Sequence, residues 1–205
     1  LWRLNTPVFN KITTNGNTIT LTSPVGSTFT VTVVEPARVT FRCPALAPGT
    51  PITLSVENQE GASAPFESLM QDASPGIFSL DGTGKGQGLI LAGEAVAMLA
   101  HPDALGAPAH PGDIVSILAT GLHPGTEGDS DLDAGSRSSV AVVFDGLPGE
   151  VVKIGPVPGT PGLYRIDARI PRSVRRADDV PVQIGVMTID GRRADSNTVT
   201  ISVDG

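Results

Sequence analysis

Short runs in which apolar and polar residues alternate recur along the chain, separated by Gly, Pro, Asn and Asp. A period of two is the spacing of a strand that buries one face. It predicts strands at 17–23, 28–35, 38–43, 51–58 and 64–70. A second set is expected at 113–119, 139–145, 150–157, 163–170, 181–188 and 197–203. Between the sets, Gly82-Thr83-Gly84-Lys85-Gly86 reads as the tip of a hairpin joining 77–80 to 88–92. Residues 101–112 are Pro-rich and read as a linker or long loop, and 121–138 form a polar, Gly-rich loop. Long stretches of Glu, Lys, Ala and Leu at helical spacing are absent, so the pattern predicts an all-β chain.

The segments also repeat. Arg38-Val39-Thr40-Phe41-Arg42-Cys43-Pro44 matches Arg165-Ile166-Asp167-Ala168-Arg169-Ile170-Pro171, and Pro51-Ile52-Thr53-Leu54-Ser55-Val56 matches Pro181-Val182-Gln183-Ile184-Gly185-Val186. Ser63-Ala64-Pro65-Phe66 then matches Ser196-Asn197-Thr198-Val199. Two copies of a unit this size predict two tandem Ig-like β-sandwich domains with an inserted β-hairpin. The expected divisions are 1–75 for the first sandwich, 76–112 for the hairpin and Pro-rich connector, and 113–205 for the second. Copy two has three strand candidates ahead of Arg165, whereas copy one has fewer residues ahead of Arg38 and an irregular first dozen. A strand is therefore either missing from copy one or supplied by 1–12 or by 76–100.

Further motifs stand in a fixed order. They are Glu35-Pro36-Ala37-Arg38 running into Cys43-Pro44, Ala47-Pro48-Gly49-Thr50, Ser74-Pro75-Gly76-Ile77-Phe78 and Gly82-Thr83-Gly84-Lys85-Gly86-Gln87-Gly88. Pro111-Gly112-Asp113 through Thr120-Gly121-Leu122, Gly162-Leu163-Tyr164-Arg165-Ile166 and Ser196-Asn197-Thr198-Val199-Thr200-Ile201 follow. From about residue 29 to 205 the chain resembles an Ig-like (IPT/TIG-like) C-terminal module of large secreted soil-bacterial proteins. The resemblance implies an extracellular pair of β-sandwiches and carries over no catalytic residues.

Composition narrows the partners. With 21 acidic and 14 basic residues the formal charge is −7. That disfavours nucleic acid, whose binding needs a basic footprint, and anionic membranes. No stretch approaches the roughly 20 apolar residues of a membrane span. The chain begins at Leu1 rather than Met, so either a leader has been removed or this is a piece of something longer. A secreted or cell-surface location is expected. The single cysteine, Cys43, alternates in phase with Val39 and Phe41 and reads as a small buried hydrophobe.

Candidate chemistry is sparse. The Gly82–Gly86 run lacks the G-x-x-x-x-G-K-[ST] order and the following helix of a phosphate-binding loop. Asp129, Asp131 and Asp133 are alternate loop carboxylates that could converge on calcium, which favours hard oxygen ligands. The loop lacks the EF-hand's sixth-position Gly and twelfth-position Glu, so a solvated acidic loop is the competing reading. His101, His110 and His123 show no metal-ligand spacing, and no G-x-S-x-G elbow occurs. Neither an enzyme nor a bound cofactor other than calcium is expected. Arg172, Arg175, Arg176, Arg192 and Arg193 sit beside Asp178, Asp179, Asp190 and Asp195, which predicts local ion pairs.

The N-terminus gathers Leu1, Trp2, Leu4, Val8, Phe9 and Ile12 where chains usually fray. These residues are the candidate assembly set. They fold back onto copy one, are the last strand of an excised upstream domain, or insert into a neighbouring subunit by strand exchange, which would build a filament. The expected function is a non-catalytic structural or assembly protein whose partner is another protein, with self-association favoured. The alternatives are an adhesion or spacer module of a larger surface protein, or a carbohydrate-binding module. The last is weakened by a single Trp and a single Tyr, too few for a sugar-stacking platform.

Overall fold

The computed structural model describes residues 8–14, 17–23, 30–35, 38–42, 46–58, 61–99, 106–122, 139–160, 162–188 and 190–204, with backbone alone for 8–42 and 56–62. The described residues contain strands, turns and loops but no helix, so the chain is all-β. It divides into two compact units, Leu1–Asp72 and Ala73–Gly205.

In the first unit, β1 (Val8–Thr14), β2 (Asn17–Ser23), β5 (Pro51–Asn58), β6 (Gly61–Ala62) and β7 (Phe66–Leu69) form one sheet. Its order is β1-β2-β5-β6, and β7 also pairs with β5. A second sheet holds β3 (Thr30–Glu35) and β4 (Arg38–Arg42). The first dozen residues, irregular by pattern, supply most of β1, which pairs antiparallel with β2 from Val8↔Ser23 to Thr14↔Asn17.

The second unit is built on one large sheet. Its early strands are β8 (Gly76–Ile77), β9 (Ile90–Ala92), β10 (Ala95–Ala97), β11 (Gly106–Ala107) and β12 (Ile114–Thr120). Residues 76–112 thus add short strands that hydrogen-bond to β12 and to one another. Then come β13 (Val140–Phe144), β14 (Leu147–Pro156), β15 (Leu163–Arg169), β16 (Ala177–Met187), β17 (Arg193–Asp195) and β18 (Val199–Val203). The lane order is β11-β10-β9-β12-β15-β14-β13-β16-β17, with β18 beside β16.

Alternation sets which faces meet. Ile166 and Ala168 of β15 are buried while Arg165 and Arg169 are exposed; Val140, Val142 and Phe144 of β13 are buried while Ala141 is exposed. These side chains join Ile117, Ile154, Val182, Ile184, Val199 and Ile201 in one buried cluster. Strands from both ends of the lane order share that core, so the sheet folds over on itself. Each such Val or Ile contributes about 1.5–3 kcal/mol relative to staying exposed.

The fold-over happens in β14. Asp145 (φ 49) and Gly146 (φ 79) make the two-residue turn with two positive φ values that suits the twist of a β13–β14 hairpin. Leu147–Gly149 pairs with β13, and from Glu150 onward the strand pairs with β15 instead. A register shift between Val151 and Lys153 bends the strand just past that crossing.

Strand β16 begins four residues before the alternation suggests. Its register shifts between Ala177 and Val180, which lets the polar Asp178-Asp179 pair stay exposed within a strand.

The repeat survives at the level of hydrogen bonding. β3 and β4 pair as β14 and β15 do: Thr30↔Arg42 and Glu150↔Arg169 open the two ladders, and Glu35↔Arg38 and Gly155↔Arg165 occupy the same step. Both ladders shift register at the same place, between Val31 and Val33 in one and between Val151 and Lys153 in the other. β2 lies on β5 as β13 lies on β16, with Leu21↔Leu54 answering Val142↔Ile184. The closing strands match two residues away from the alignment by residue type. Pro51↔Leu69 answers Pro181↔Thr200, so Ser68, not Phe66, is the counterpart of Val199. Ladder position, rather than side-chain likeness near Pro65, decides the equivalence.

Candidate functional site

The loop at 79–88 is the best-organised polar feature of the second unit. Ser79 bridges Gly88 across the turn, and Leu80 N–H donates to the Gln87 carbonyl. Within the turn, Asp81 Oδ1 accepts from Thr83 N–H (3.0 Å), Thr83 Oγ1 (2.8 Å) and Ser79 Oγ (2.8 Å). The Thr83 amide first, then the two hydroxyls, hold the Asp81 carboxyl below its ordinary value of 3.8, because each donor favours the ionised form. Gly84 N–H donates to Ser79 Oγ at 2.7 Å, so the amide groups here serve the loop's own side chains. The run that superficially resembled a phosphate-binding loop is a hairpin tip.

Asn197 fastens that hairpin to the far end of the unit. Its Oδ1 accepts from Ile77 N–H (2.7 Å), and its Nδ2 donates to the Ile77 carbonyl (2.9 Å) and the Gly84 carbonyl (2.7 Å). An amide is the side chain that can accept from and donate to one backbone residue at once. Pattern reading placed Asn197 in the repeat without seeing this role, because the partners lie 113 and 120 residues away.

A concavity of about 400 Å³ is lined by Ala92, Gly93, Ala107, Pro108, His110, Asp113 and Ile114. His110 N–H donates to Asp113 Oδ2 at 2.9 Å, and His110 Nδ1 lies 3.3 Å from the same oxygen. The remaining walls are Ala, Gly, Pro and Ile, which can bind or exclude but carry no proton or nucleophile. One imidazole and one carboxylate thus make a loop cap here, and no third polar group faces them from the lining.

Three of the five arginines pair with nearby aspartates as expected, whereas Arg172 and Arg176 form no such ion pair among the described residues, and Asp178 accepts from Ser202 Oγ instead. Arg175 bridges Asp145 (2.9 Å) and Asp179 (2.8 Å), Arg192 pairs with Asp190 (3.2 Å), and Arg193 with Asp195 (2.6 Å). The Asp179 hydrogen bond, aided by the charge on Asp145, pushes the Arg175 pKa up. The Thr188 hydroxyl and then the Arg192 amide hold Asp190 below its ordinary value. Neighbouring carboxylates thus occupy these guanidinium groups.

Among the described residues no group of three or more His, Cys, Asp or Glu could hold a metal ion. Asp129, Asp131 and Asp133 lie outside the described residues, as do Cys43, His101 and His123. Of the assembly set, Val8, Phe9 and Ile12 sit in β1, opposite Ser23, Thr22 and Ile19 of β2, while Leu1, Trp2 and Leu4 lie outside the described residues.

Beside β15 the described strands of the two units differ. β15 pairs on one side with β14 and on the other with β12, Ile117 standing opposite Ile166. Its counterpart β4 pairs, among the described residues, with β3 alone. β1 does not take the place of β12. It lies on the edge of β2 away from β5, the lane that Leu147–Gly149 occupies beside β13.

No family model matches the chain, and no curated protein matches it. Among solved structures it is similar to SGBP-B of the Bacteroides ovatus mixed-linkage glucan utilization locus, solved with a mixed-linkage heptasaccharide. The identity is 14% and the TM-score 0.30; the match covers 93% of this chain and 38% of the length of that one. No helix among the described residues is long and apolar enough to cross a membrane.

Proposed function

We propose that the chain is a non-catalytic structural protein of the cell exterior, made of two Ig-like units and working by self-association. The lane orders support the Ig-like reading. β12-β15-β14 and β13-β16-β18 follow the B-E-D and C-F-G arrangement of an Ig sandwich, and the first unit repeats all but the first of these lanes. The observation that carries the function is the edge of β4 away from β3: β12 covers the equivalent edge of β15, and no described strand pairs there in the first unit. A sheet edge that accepts an added strand is a recognised route to assembly. The acidic charge and the family resemblance fit an exposed extracellular surface.

Size-exclusion chromatography with negative-stain microscopy across a concentration series tests this reading. Oligomers that grow with concentration are expected from the intact chain. A folded monomer throughout would refute it in favour of an adhesion, spacer or carbohydrate-binding role.

A further inference from the structure

We infer that Asp145-Gly146 is a modification site, where the second unit isomerises to isoaspartate, and that Arg175 slows the reaction.

The chemistry belongs to the Asp-Gly pair. The glycine backbone nitrogen attacks Asp Cγ; the N–Cγ bond forms as the Cγ–OH bond breaks, and one water leaves. The five-membered succinimide then takes up a water. Addition at the former side-chain carbonyl restores Asp, and addition at the main-chain carbonyl leaves the chain running through Cβ and Cγ. The overall mass is unchanged. Glycine favours the attack because it has no Cβ to hinder the approach. The carboxyl reacts in its acid form, so contacts that keep it ionised or fixed slow the step.

Three described turns of the second unit carry the pair: Asp81-Gly82, Asp145-Gly146 and Asp190-Gly191. The glycine of a fourth, Asp204-Gly205, lies outside the described residues. Gly82, Gly146 and Gly191 all have positive φ, and a Cβ on any of them would meet nothing within 4 Å. Space therefore does not choose among the three turns. Hydrogen bonding does.

In two of them both reacting groups are tied down. Gly82 N–H donates to the Ser79 carbonyl (3.1 Å), and Gly191 N–H donates to the Thr188 carbonyl (2.9 Å). Asp81 accepts from the Thr83 amide and from the Ser79 and Thr83 hydroxyls. Asp190 accepts from the Thr188 hydroxyl and the Arg192 amide, and pairs with the Arg192 guanidinium. These donors hold both carboxyls below their ordinary value, toward the form that does not react. At the third turn, Gly146 N–H donates to no acceptor among the described residues. The Asp145 carboxyl has one described partner, Arg175 Nε at 2.9 Å, and both side chains of that pair are partly exposed. Attack at Asp145 gives up one ion pair, whereas attack at Asp81 or Asp190 gives up several contacts. Isoaspartate at 145 adds a main-chain carbon to a two-residue turn, and so breaks the match between β13 and Leu147–Gly149.

The intact chain, kept folded in mildly acidic buffer and in parallel in denaturant, is sampled over weeks and digested. Electron-transfer fragmentation of the separated peptides reads isoaspartate at each turn. In denaturant the three pairs should react alike. In the folded chain Asp145 should react about tenfold faster than Asp81 or Asp190, each of which must first lose more hydrogen bonds. Arg175→Gln, checked by circular dichroism, should speed Asp145 by about threefold, as expected for losing an exposed ion pair, and leave the other two turns unchanged. High salt, which screens that pair, should act the same way on the unaltered chain. If Asp81 or Asp190 keeps pace with Asp145 in the folded chain, the site is wrong. It is equally wrong if Asp145 reacts in denaturant and stays intact when folded. If neither Arg175→Gln nor salt speeds Asp145 alone, the role of Arg175 is overturned while the site stands.

Discussion

Two side chains and one absent side chain set what single substitutions do to the second unit. Asn197 makes three hydrogen bonds to backbone groups at the start of the unit. Replacing it with Ala leaves a partly buried N–H and two carbonyls without their partner, and should cost about 2–3 kcal/mol. A lower denaturant midpoint, with faster hydrogen exchange at Ile77, is the expected signature. Gly149 stands at the lane crossing in β14, where a Cβ would lie 2.6 Å from the Phe144 ring and 2.9 Å from the Arg169 carbonyl oxygen. Gly149→Ala forces the core ring aside and should destabilise by about 2 kcal/mol, read as a lower Tm.

The Asp81 carboxyl, held low by its donors, makes the hairpin tip sensitive to acid. Because the folded pKa lies below the unfolded one, its stabilising contribution is complete above the ordinary 3.8 and fades as pH falls through the lowered value. Amide exchange at Thr83 and Gly84, compared with Asp81→Asn, should show the loss only in that acid window.

At the scale of elements, alternation located several strands of five to eight residues well, because burying one face leaves a period of two in the residues. β2, β4, β5, β12, β13 and β15 lie within a residue or two of their expected ranges. What alternation missed has physical causes. β17 is three residues long, too short to show a period, and β8 and β11 are two-residue pairs. β14 joins two pairings end to end, so Leu147–Gly149 looked like part of a turn. The repeat was legible from Arg38 and Pro51, but its strongest feature, the shared bulge, leaves no trace in residue types: Val31 to Val33 and Val151 to Lys153 differ in polarity. Of the candidate residues, the ion pairs were legible because acid and base are neighbours in the chain. The Asn197 clasp was not, since nothing local marks an amide whose partners are over a hundred residues away.

At the scale of the molecule, the two units share one wiring plan among their described strands. The second surrounds its core with strands on both sides of β15, and the first leaves the equivalent strand with one described neighbour. Arg175 and Arg193 are matched by aspartates beside them, and exposed pairs of this kind are worth at most about 1 kcal/mol each.

The long reach of Asn197 also dictates an order of events. Gln87 and Ala109 bridge Thr200 and Val203 in parallel, and Asn197 holds Ile77, so the earliest part of the second unit finds partners in its last ten residues. Contacts so distant are slow to form and cannot begin until residues 197–203 have been made. The described strand pairings of the first unit fall within its own first 72 residues. A chain emerging residue by residue can therefore assemble its front module early, while the rear one stays open until its final strand arrives.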